Sequence, residues 1–380
     1  MSRAPADWEA EFEQQPRVAL TLLDETPFDV VVAALEMPEV HGAVLLEETA
    51  RRRPHAVRIA LSKHGERDLA LKAMGMAHRC LRKGCDPNDL LASIRGAIES
   101  QRLVDNGLVR DLVGQLTAVP SLPSLYTEIQ NALETPDVSV HDVARIVAKD
   151  PGMTAKILQL VNSAIFPIRH SISSIERAVP FLGIETTRTL VLSLQVFKSF
   201  DSPRLKRLRL GGLWNHSLMT GALARRIAQE ETDEMELIQD AFTAGMLHDL
   251  GKLVLAACEP GRYADVIQAA RKQAIPEPQA EREVLGVDHA QVGAYLAALW
   301  GLPRSIVETL GFHHRPALRG VAAFDVVLAV HVADLLEQEG RPPASGAAPN
   351  EIDLKWLETV GLDGRLDAWR ELRDRIGDDE

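Results

Sequence analysis

Cysteine is scarce in this chain of 380 residues, and long apolar runs are absent. Its three cysteines, Cys80, Cys85 and Cys258, are too few for a disulfide framework, which predicts reduced thiols and a cytoplasmic protein. Cys80 and Cys85 lack two further ligands nearby, so we expect no zinc site there. Because we find neither a signal peptide nor an apolar run of transmembrane length, we also expect no membrane contact.

Basic residues are also fewer than acidic residues. Lysine and arginine number 42 against 54 aspartates and glutamates, a net charge of -12, which disfavours a surface for nucleic acid. The small basic cluster Arg204, Lys206, Arg207 and Arg209 is compatible with a solvated loop or with a patch for phosphate or an acidic partner. The length of the chain suits two or three domains with full-sized cores.

The first hundred residues alternate apolar runs with helical stretches. Residues 28–35 form a continuous apolar run, which is typical of a parallel strand buried on both faces. Residues 56–61 and 77–81 predict two more strands, and helices are expected around 43–53 and 66–75. Strands that alternate with helices indicate a doubly wound α/β domain with a parallel sheet.

This segment resembles the receiver domain of response regulators over residues 1–102. The resemblance rests on Met37-Pro38, Gly42, Ser62, Lys83 and Asp86-Pro87. It implies a flavodoxin-like fold and a place in two-component signal transduction. The phosphoacceptor aspartate of a receiver corresponds to Ala34, three residues before Met37, and Gly84 replaces the proline usual after the lysine. We therefore expect a degenerate receiver that is not phosphorylated, in which Ser62 and Lys83 are ordinary loop residues.

The same resemblance implies that the first receiver strand is missing. The chain is expected to begin near the second strand, around Trp8 to Phe12. A missing strand would leave an open sheet edge, which invites pairing with another chain, so we expect a homodimer or a docking surface. The alternative is a misassigned start codon, with the first strand and helix encoded upstream.

The rest of the chain predicts helices. Asp150 before Pro151 is typical of a helix start, Ser139 with Asp142 resembles a capping box, and Gly183 is expected to end a helix. The expected divisions are a receiver-like domain (1–102), a helical connector (103–115, in a polar stretch from Glu99 to Gln115) and an all-α domain (116–370). Within the last we expect a helical part (116–200), a part with the candidate site (201–340), a flexible loop from Gly340 to Pro349, and a final helical segment (350–370).

An adjacent His248-Asp249 pair lies inside the apolar stretch from Gly245 to Lys252. A buried carboxylate must be paired or bound to a metal, and imidazole is the commonest protein metal ligand. In a helix over 213–228, His216 shares a face with Leu213, Thr220, Leu223 and Ile227. Asp334 likewise shares a face with Val327, Val330 and His331. These polar residues on apolar faces are able to converge on one or two divalent metals.

The order His216, His248-Asp249, Asp334 resembles the ligand signature of HD-domain metal-dependent phosphohydrolases. His289 and His313-His314 resemble the additional ligands of the two-metal HD-GYP branch. The candidate metal ligands are therefore His216, His248, Asp249, His289, His313, His314 and Asp334, and the implied cofactor is iron, manganese or zinc. Lys252 matches a lysine that contacts the substrate phosphate in catalytic relatives. The alternative is a solvated lysine at a helix end. His331 is expected to be structural, with apolar neighbours as its partners.

Over residues 116–369 the chain most resembles the HDOD domain, a relative of the HD superfamily in bacterial signalling. The motifs are Leu116 to Pro123, Asp150 to Met153, Lys156 to Ala164, Ala178 to Gly183 and Gly301 to Pro303. HDOD domains are regarded as non-catalytic, and Arg315-Pro316 stands where an HD-GYP phosphodiesterase has an acidic residue and then Gly-Tyr-Pro. The resemblance implies a regulator that binds other signalling proteins. The alternative is a metal-dependent phosphohydrolase acting on a nucleotide or second messenger.

Overall fold

The computed structural model describes residues 8–37, 42–53, 56–62, 77–103, 107–115, 124–133, 138–161, 166, 172–199, 212–320, 323–339 and 346–377. The chain packs as two compact units. The first comprises residues 1–124 together with 295–302, and the second comprises 125–294 and 303–380.

The first unit contains a three-stranded parallel sheet with the order β1-β2-β3. The strands are β1 (Val30–Ala34), β2 (Val57–Ser62) and β3 (Arg79–Arg82), and the helices are α1 (Pro16–Glu25), α2 (Gly42–Arg52), α3 (Pro87–Leu103) and α4 (Gly107–Gln115). The apolar runs predicted these strands, and the α/β class with a parallel sheet is confirmed. The helix predicted at 66–75 lies outside the described residues.

The core of this unit lies between the sheet and its first two helices. It is built from Leu23 of α1, Leu45 and Leu46 of α2, and Leu35 and Ala60 at the sheet. Apart from Asp29, the run at 28–35 is apolar because helix side chains cover this strand, as in other parallel sheets.

The strand expected around Trp8 to Phe12 is wrong. Residues 8–15 form neither helix nor strand, and Phe12 is 87% exposed. In this stretch glutamates stand at positions 9, 11 and 13, so every second residue is charged. A parallel strand covered on both faces would bury those carboxylates without partners, which costs several kcal/mol.

The positions that carry chemistry in receivers lie at the ends of the strands. Ala34 is the last residue of β1. Lys83 directly follows β3, is exposed, and donates its backbone N–H to Ser62 O at 2.6 Å. The three described strands contain no aspartate or glutamate.

The described elements from residue 124 onward are helical, which confirms the all-α class of this part. They are α5 (Ser124–Leu133), α6 (Val140–Ala148), α7 (Pro151–Val161), α8 (Ile175–Leu182), α9 (Ile184–Ser199), α10 (Leu213–Glu231), α11 (Met235–Leu247), α12 (Leu250–Cys258), α13 (Pro260–Gln273), α14 (Glu277–Leu285), α15 (His289–Leu299), α16 (Arg304–Phe312), α17 (Val326–Gln338), α18 (Leu354–Thr359) and α19 (Leu366–Gly377), with 3-10 turns at Pro316–Arg319 and Asp363–Arg365.

The predicted helix boundaries are present. Ser139 and Asp142 form a capping box at the start of α6. Asp150 accepts a hydrogen bond from the backbone N–H of Met153 at 3.0 Å, at the start of α7. Gly183 ends α8 with a φ of 79°, a left-handed value that favours glycine.

Other predicted segments are covered in part. Helices α3 and α4 span the predicted connector apart from 104–106, and α19 extends past residue 370 to Gly377. The basic cluster at 204–209, the motif at 116–123 and residues 340–345 of the predicted loop lie outside the described residues.

One stretch, Met235–Cys258, is long and apolar enough to cross a membrane, contrary to the expectation that none exists. Within its most apolar window of 18 residues, 78% is buried inside the protein. The stretch consists of α11, the His248-Asp249 pair and α12, so it folds as two core helices around buried polar groups. Its apolar character reflects burial in a helical core.

Candidate metal centre

A close contact between two helices brings the first two candidate ligands together. Helices α10 and α11 touch at Gly221 and Gly245, where a Cβ on Gly245 would lie 2.6 Å from Gly221 Cα. His216 lies before Gly221 on α10, and His248 follows Gly245 at the end of α11. The antiparallel pair therefore places both imidazoles at the same level, with 3.1 Å between their Nε2 atoms.

Asp249 occupies the break between α11 and α12. It is the N-cap residue of α12, yet its carboxylate makes no side-chain cap hydrogen bond. An aspartate at this position ordinarily accepts from the backbone at N2 or N3. Here the helix break turns the carboxylate toward the histidines, and the side chain is 1% exposed.

A second close contact positions His289. A Cβ on Gly251 of α12 would lie 1.9 Å from the carbonyl oxygen of His289, so only glycine fits there. The contact holds the start of α15 against the start of α12. His289 Nε2 consequently lies 3.1 Å from Asp249 Oδ1.

The structure brings all seven predicted ligands together, in two groups. One group is His216, His248 and Asp334; the other is Asp249, His289, His313 and His314. Within each group one ligand atom per residue lies within 4.8 Å of the others. The helical phases of His216 and Asp334 predicted this convergence, and their side chains lie 3.1 Å apart from Nε2 to Oδ1.

The Asp249 carboxylate joins the two groups. Its Oδ1 faces His289, as described above, whereas its Oδ2 lies 3.5 Å from His248 Nε2 and 3.7 Å from His216 Nε2. A carboxylate with one oxygen toward each group is the arrangement expected of a bridging ligand between two cations. The chemistry of the donor set, five imidazoles and two carboxylates, suits divalent iron, manganese or zinc.

Four of the imidazole rings are oriented by hydrogen bonds at Nδ1, the ring nitrogen that points away from the cluster. The pairs are His216 with Glu337 Oε2 (2.7 Å), His248 with Gly245 O (2.7 Å), His289 with Glu281 Oε2 (2.7 Å) and His313 with Leu310 O (2.9 Å). A carbonyl or carboxylate oxygen only accepts, so Nδ1–H is the donor in each pair. In the neutral imidazole this leaves the Nε2 lone pair directed into the cluster, which is the tautomer that metal-binding histidines use.

Two atoms of the cluster are buried without a hydrogen-bond partner, namely His313 Nε2 and Asp249 Oδ1. Buried lone-pair atoms that accept nothing cost free energy. In addition, His289 Nε2 and His314 Nε2 approach to 2.8 Å, so one of these nitrogens must carry a proton unless a cation lies between them. A cation in each group would satisfy these atoms, so the residues present fit a pair of divalent metal ions.

The carboxylates favour positive charge in both groups. Burial opposes protonation of His216, but the hydrogen bonds that it donates to Asp334 and Glu337 outweigh burial and raise its pKa to about 10. Burial likewise opposes protonation of His289, but the charge of Glu281 together with hydrogen bonds to Asp249 and Glu281 outweighs it and again raises the pKa to about 10. Burial and the neighbouring imidazoles lower the pKa of His313 to about 3.

Lys252 is paired within the site. Its Nζ lies 2.7 Å from Asp249 Oδ2 and 3.2 Å from Glu277 Oε2, and its side chain is 14% exposed. Burial alone would lower its pKa, but the two carboxylates raise it above the ordinary value. The interpretation as a solvated helix-end lysine is therefore wrong, because Asp249 draws the ammonium group inward.

His331 is buried against Trp356, with 6.2 Å between ring centroids, and it also has polar partners that were not expected. Its Nδ1–H donates to His313 O at 2.6 Å, and its Nε2 accepts from the backbone N–H of Asp353 at 3.3 Å. The ring is buried because it bridges two backbone segments. It thereby fixes the turn that carries His313.

Two functional residues were missed from the sequence, Glu281 and Glu337. Glu337 lies one helical turn after Asp334 on α17, a spacing that offers a signal. Glu281 is fully buried on α14 and accepts from both the backbone N–H and Nδ1 of His289. Its segment shows no pattern that would have indicated this role.

The residues that depart from the HD-GYP pattern have structural partners. Arg315 lies 3.3 Å from Asp288, which also binds Arg282 at 2.6 Å. Asp288 in turn accepts from the backbone N–H of Gln291 at 3.0 Å, at the start of α15. Pro316 begins a 3-10 turn. Arg315 and Pro316 thus support the backbone around the paired histidines.

Comparisons with known proteins agree with this architecture. Residues 119–316 match the family model of the HDOD domain, and residues 7–95 match that of the response regulator receiver domain. An uncharacterized protein of Treponema pallidum (strain Nichols) is 31% identical over 210 residues, which cover 54% of this chain and 40% of that protein. This chain therefore spans less than half the length of that relative.

Two solved structures are similar in fold. An HDOD domain protein of unknown function from Geobacter sulfurreducens is 25% identical with a TM-score of 0.52, over 71% of this chain and 97% of that chain. A Shewanella amazonensis SB2B protein, whose name carries a provisional phosphohydrolase assignment, is 23% identical with a TM-score of 0.51, over 73% and 99% of the two chains. The second likeness is one of fold alone.

Proposed function

This chain belongs to the HDOD family and carries a receiver domain at its N-terminus, and from that premise we propose that it is a cytoplasmic regulator that binds other signalling proteins without turnover. In this proposal the seven-residue cluster holds divalent metal as a structural centre of the helical domain. The receiver part contributes an interaction surface, because Ala34 stands where a receiver carries its phosphoacceptor.

The single observation that carries the proposal is the pairing of Lys252. A lysine next to an HD-type centre serves hydrolysis only if its ammonium group is available to a substrate phosphate. Here Nζ is held between Asp249 and Glu277 and is largely buried. The ligand set is enclosed too: His248, His289 and His313 are fully buried. These features favour tight retention of metal over access of a phosphate ester.

Metal analysis with a turnover assay tests the proposal. We expect purified protein to contain iron, manganese or zinc near stoichiometrically, and Asp249→Ala to lower both metal content and melting temperature. Removing one partner of a buried ion pair costs about 3–5 kcal/mol. The control is Asp265→Ala on α13, where the aspartate is exposed. With manganese or iron supplied, we expect negligible hydrolysis of cyclic dinucleotides. Metal-free protein with unchanged stability in Asp249→Ala would contradict the metal centre.

A second candidate function is a metal-dependent phosphohydrolase for a nucleotide or second messenger. The observation that favours it is the complete ligand set in two joined groups. Bound divalent ions would supply Lewis acidity toward a phosphate ester. Within this chain His216 and Asp334 would hold one ion and His289 and His314 the other, with Asp249 between them. Robust hydrolysis that Asp249→Ala abolishes would establish this function in place of the first.

We also propose that the protein is a homodimer through the free edge of β1. Leu35 N–H donates to Leu61 O, and Asp29 O accepts from Val57 N–H, so alternate residues of β1 bond to β2. The polar backbone groups of Val30 and Val32 point the other way, and no strand of the described chain pairs with them. Unpaired edges favour association with another strand.

Light scattering on the full chain tests the dimer. Val32→Pro removes an N–H on the free side only and is expected to give a monomer. Val32→Ala retains that N–H and is expected to remain dimeric. A full-length protein that is monomeric at high concentration would contradict the proposal.

A further inference from the structure

A cavity of about 540 Å³ lies in the second unit, away from the metal centre. Part of its wall is one face of α10, formed by Ala222, Arg225, Arg226 and Gln229. At 100° per residue, Arg225 lies about 180° around the helix from His216. Helix α10 therefore presents a metal ligand on one side and this cavity on the other, so the two sites are separate.

The apolar part of the cavity is rich in phenylalanine. Phe166, Phe181 and Phe242 line it, out of nine phenylalanines in the whole chain. Phe166 and Phe242 pack edge to face with 6.5 Å between ring centroids. Phe181, which ends α8 with Leu182, is 47% exposed. An exposed aromatic ring at the mouth of a cavity with an aromatic floor offers a stacking surface to a planar ligand.

The polar part carries positive charge. Three arginines line the cavity, Arg225, Arg226 and Arg375, with one carboxylate, Glu230, and Arg375 is paired with Glu371 at 3.6 Å. Arg225 donates a hydrogen bond to the Thr186 hydroxyl at 3.3 Å, and the ion pairs of the described residues include neither Arg225 nor Arg226. Burial lowers the pKa of Arg225, which shows that its charge is partly removed from water without compensation.

We propose that this cavity binds a mononucleotide, with the base against the phenylalanines and the phosphate on Arg225 and Arg226. Guanidinium groups bind phosphate oxygens with two parallel hydrogen bonds, and base stacking on aromatic rings accepts any base. The side chains of Gln229 and Glu230 supply a donor and acceptors for the base edge. The volume lies within the range of about 300–1,000 Å³ that is typical of small-molecule sites.

The site also links separate parts of the helical domain. Its lining comes from α8, α10, α11 and α19, because Leu372 and Arg375 belong to the last of these. A bound nucleotide would bridge α19 to α8 and α10. Ligand binding would thereby stabilise the position of the C-terminal helix, since a ligand favours the conformation that contains its complete site.

Calorimetric titration of the full chain tests this inference with four nucleoside monophosphates, the corresponding nucleosides, and inorganic phosphate. We expect at least one monophosphate to bind about 10-fold more tightly than its nucleoside and than phosphate, because only the nucleotide meets both halves of the site. We expect Arg225→Gln to weaken that binding about 10-fold and Phe181→Ala to weaken it as well. Arg226→Gln provides a second test should Arg225→Gln fail to fold.

Two further variants serve as controls. Arg304→Gln removes an exposed arginine of α16 that is paired with Glu308, and we expect unchanged binding. Glu337→Gln alters the metal centre with a smaller expected loss of stability, and we expect it to retain nucleotide binding, which separates the two sites. The inference is overturned if no monophosphate binds at millimolar concentration, if phosphate binds as tightly as the nucleotide, or if Arg225→Gln and Phe181→Ala bind like the unmodified chain.

Discussion

Gly221 and Gly245 bring two helix backbones into direct contact, since a Cβ on Gly245 would lie 2.6 Å from Gly221 Cα. This contact sets the separation of α10 and α11. His216 and His248, which lie near it on the two helices, approach to 3.1 Å as a result. The ligand geometry therefore depends on small residues that touch no metal, and a change in helix spacing would separate the ligands.

Gly245→Ala is expected to lower both stability and metal content. The added methyl group would push α10 away from α11, and overpacking of this kind typically costs about 1–3 kcal/mol. The measurements are thermal unfolding and metal analysis of the purified variant. The matched control is Gly261→Ala on α13, where no atom lies within 4 Å of the new Cβ. Full metal content in Gly245→Ala would show that the histidine pair does not depend on this contact.

Glu337→Gln is expected to weaken metal binding by about 10-fold, with a smaller effect on stability. Glu337 accepts from His216 Nδ1 at 2.7 Å, which orients the ring and increases the basicity of Nε2. Loss of such a partner commonly costs about 10–100-fold in metal affinity. A competition titration with a metal chelator measures the change. Glu358→Gln, at an exposed position of α18, is the control, and equal affinities for the two variants would argue against the role of Glu337.

Metal binding is expected to release protons. The pKa values of His216 and His289 are about 10, so both rings are protonated at neutral pH. Their protonation contributes stability below the unfolded value of 6.5, and this contribution is lost as the pH rises through about 10. A metal must displace these protons, so its apparent affinity should increase with pH up to about 10.

Calorimetry in buffers of different ionisation enthalpy measures this release. At pH 7.5 we expect about two protons per protein when both groups are filled, one from each raised histidine. Glu337→Gln removes a carboxylate that helps to hold the His216 proton without removing a candidate ligand, and it should reduce the release. Binding with no dependence on the buffer would show that the two histidines are already neutral.

The sequence predicted the parts of the site that follow from local periodicity. His216 and Asp334 lie on apolar helix faces, so helical geometry alone directs them to the core. Glu281 lies on a different helix from its partner His289, and Lys252 pairs with Glu277 across α12 and α14. Residues that form hydrogen bonds between different helices have no fixed separation in the sequence. Such partners are identified only once the packing of the helices is known.

The wrong prediction in the first unit, a strand around Trp8 to Phe12, also depends on a partner that is not local in the sequence. Residues 28–35 predicted a strand because continuous apolar character requires burial on both faces. Residues 8–13 alternate between glutamate and small or aromatic residues, a pattern that suits a half-buried strand and not one inside a parallel sheet. Only the sheet order shows whether a neighbouring strand is present to pair with such a segment.

The receiver part is expected to remain unphosphorylated. Ala34 ends β1 without a carboxylate, so incubation with acetyl phosphate or a histidine kinase should add no phosphoryl group within residues 1–102. Ala34→Asp should also fail, because the described strands contain no acidic residue to hold the magnesium ion that acyl phosphate chemistry requires. Intact-mass measurement after each incubation detects the modification. A stable aspartyl phosphate in this region would show that a residue other than Ala34 occupies the phosphoacceptor position.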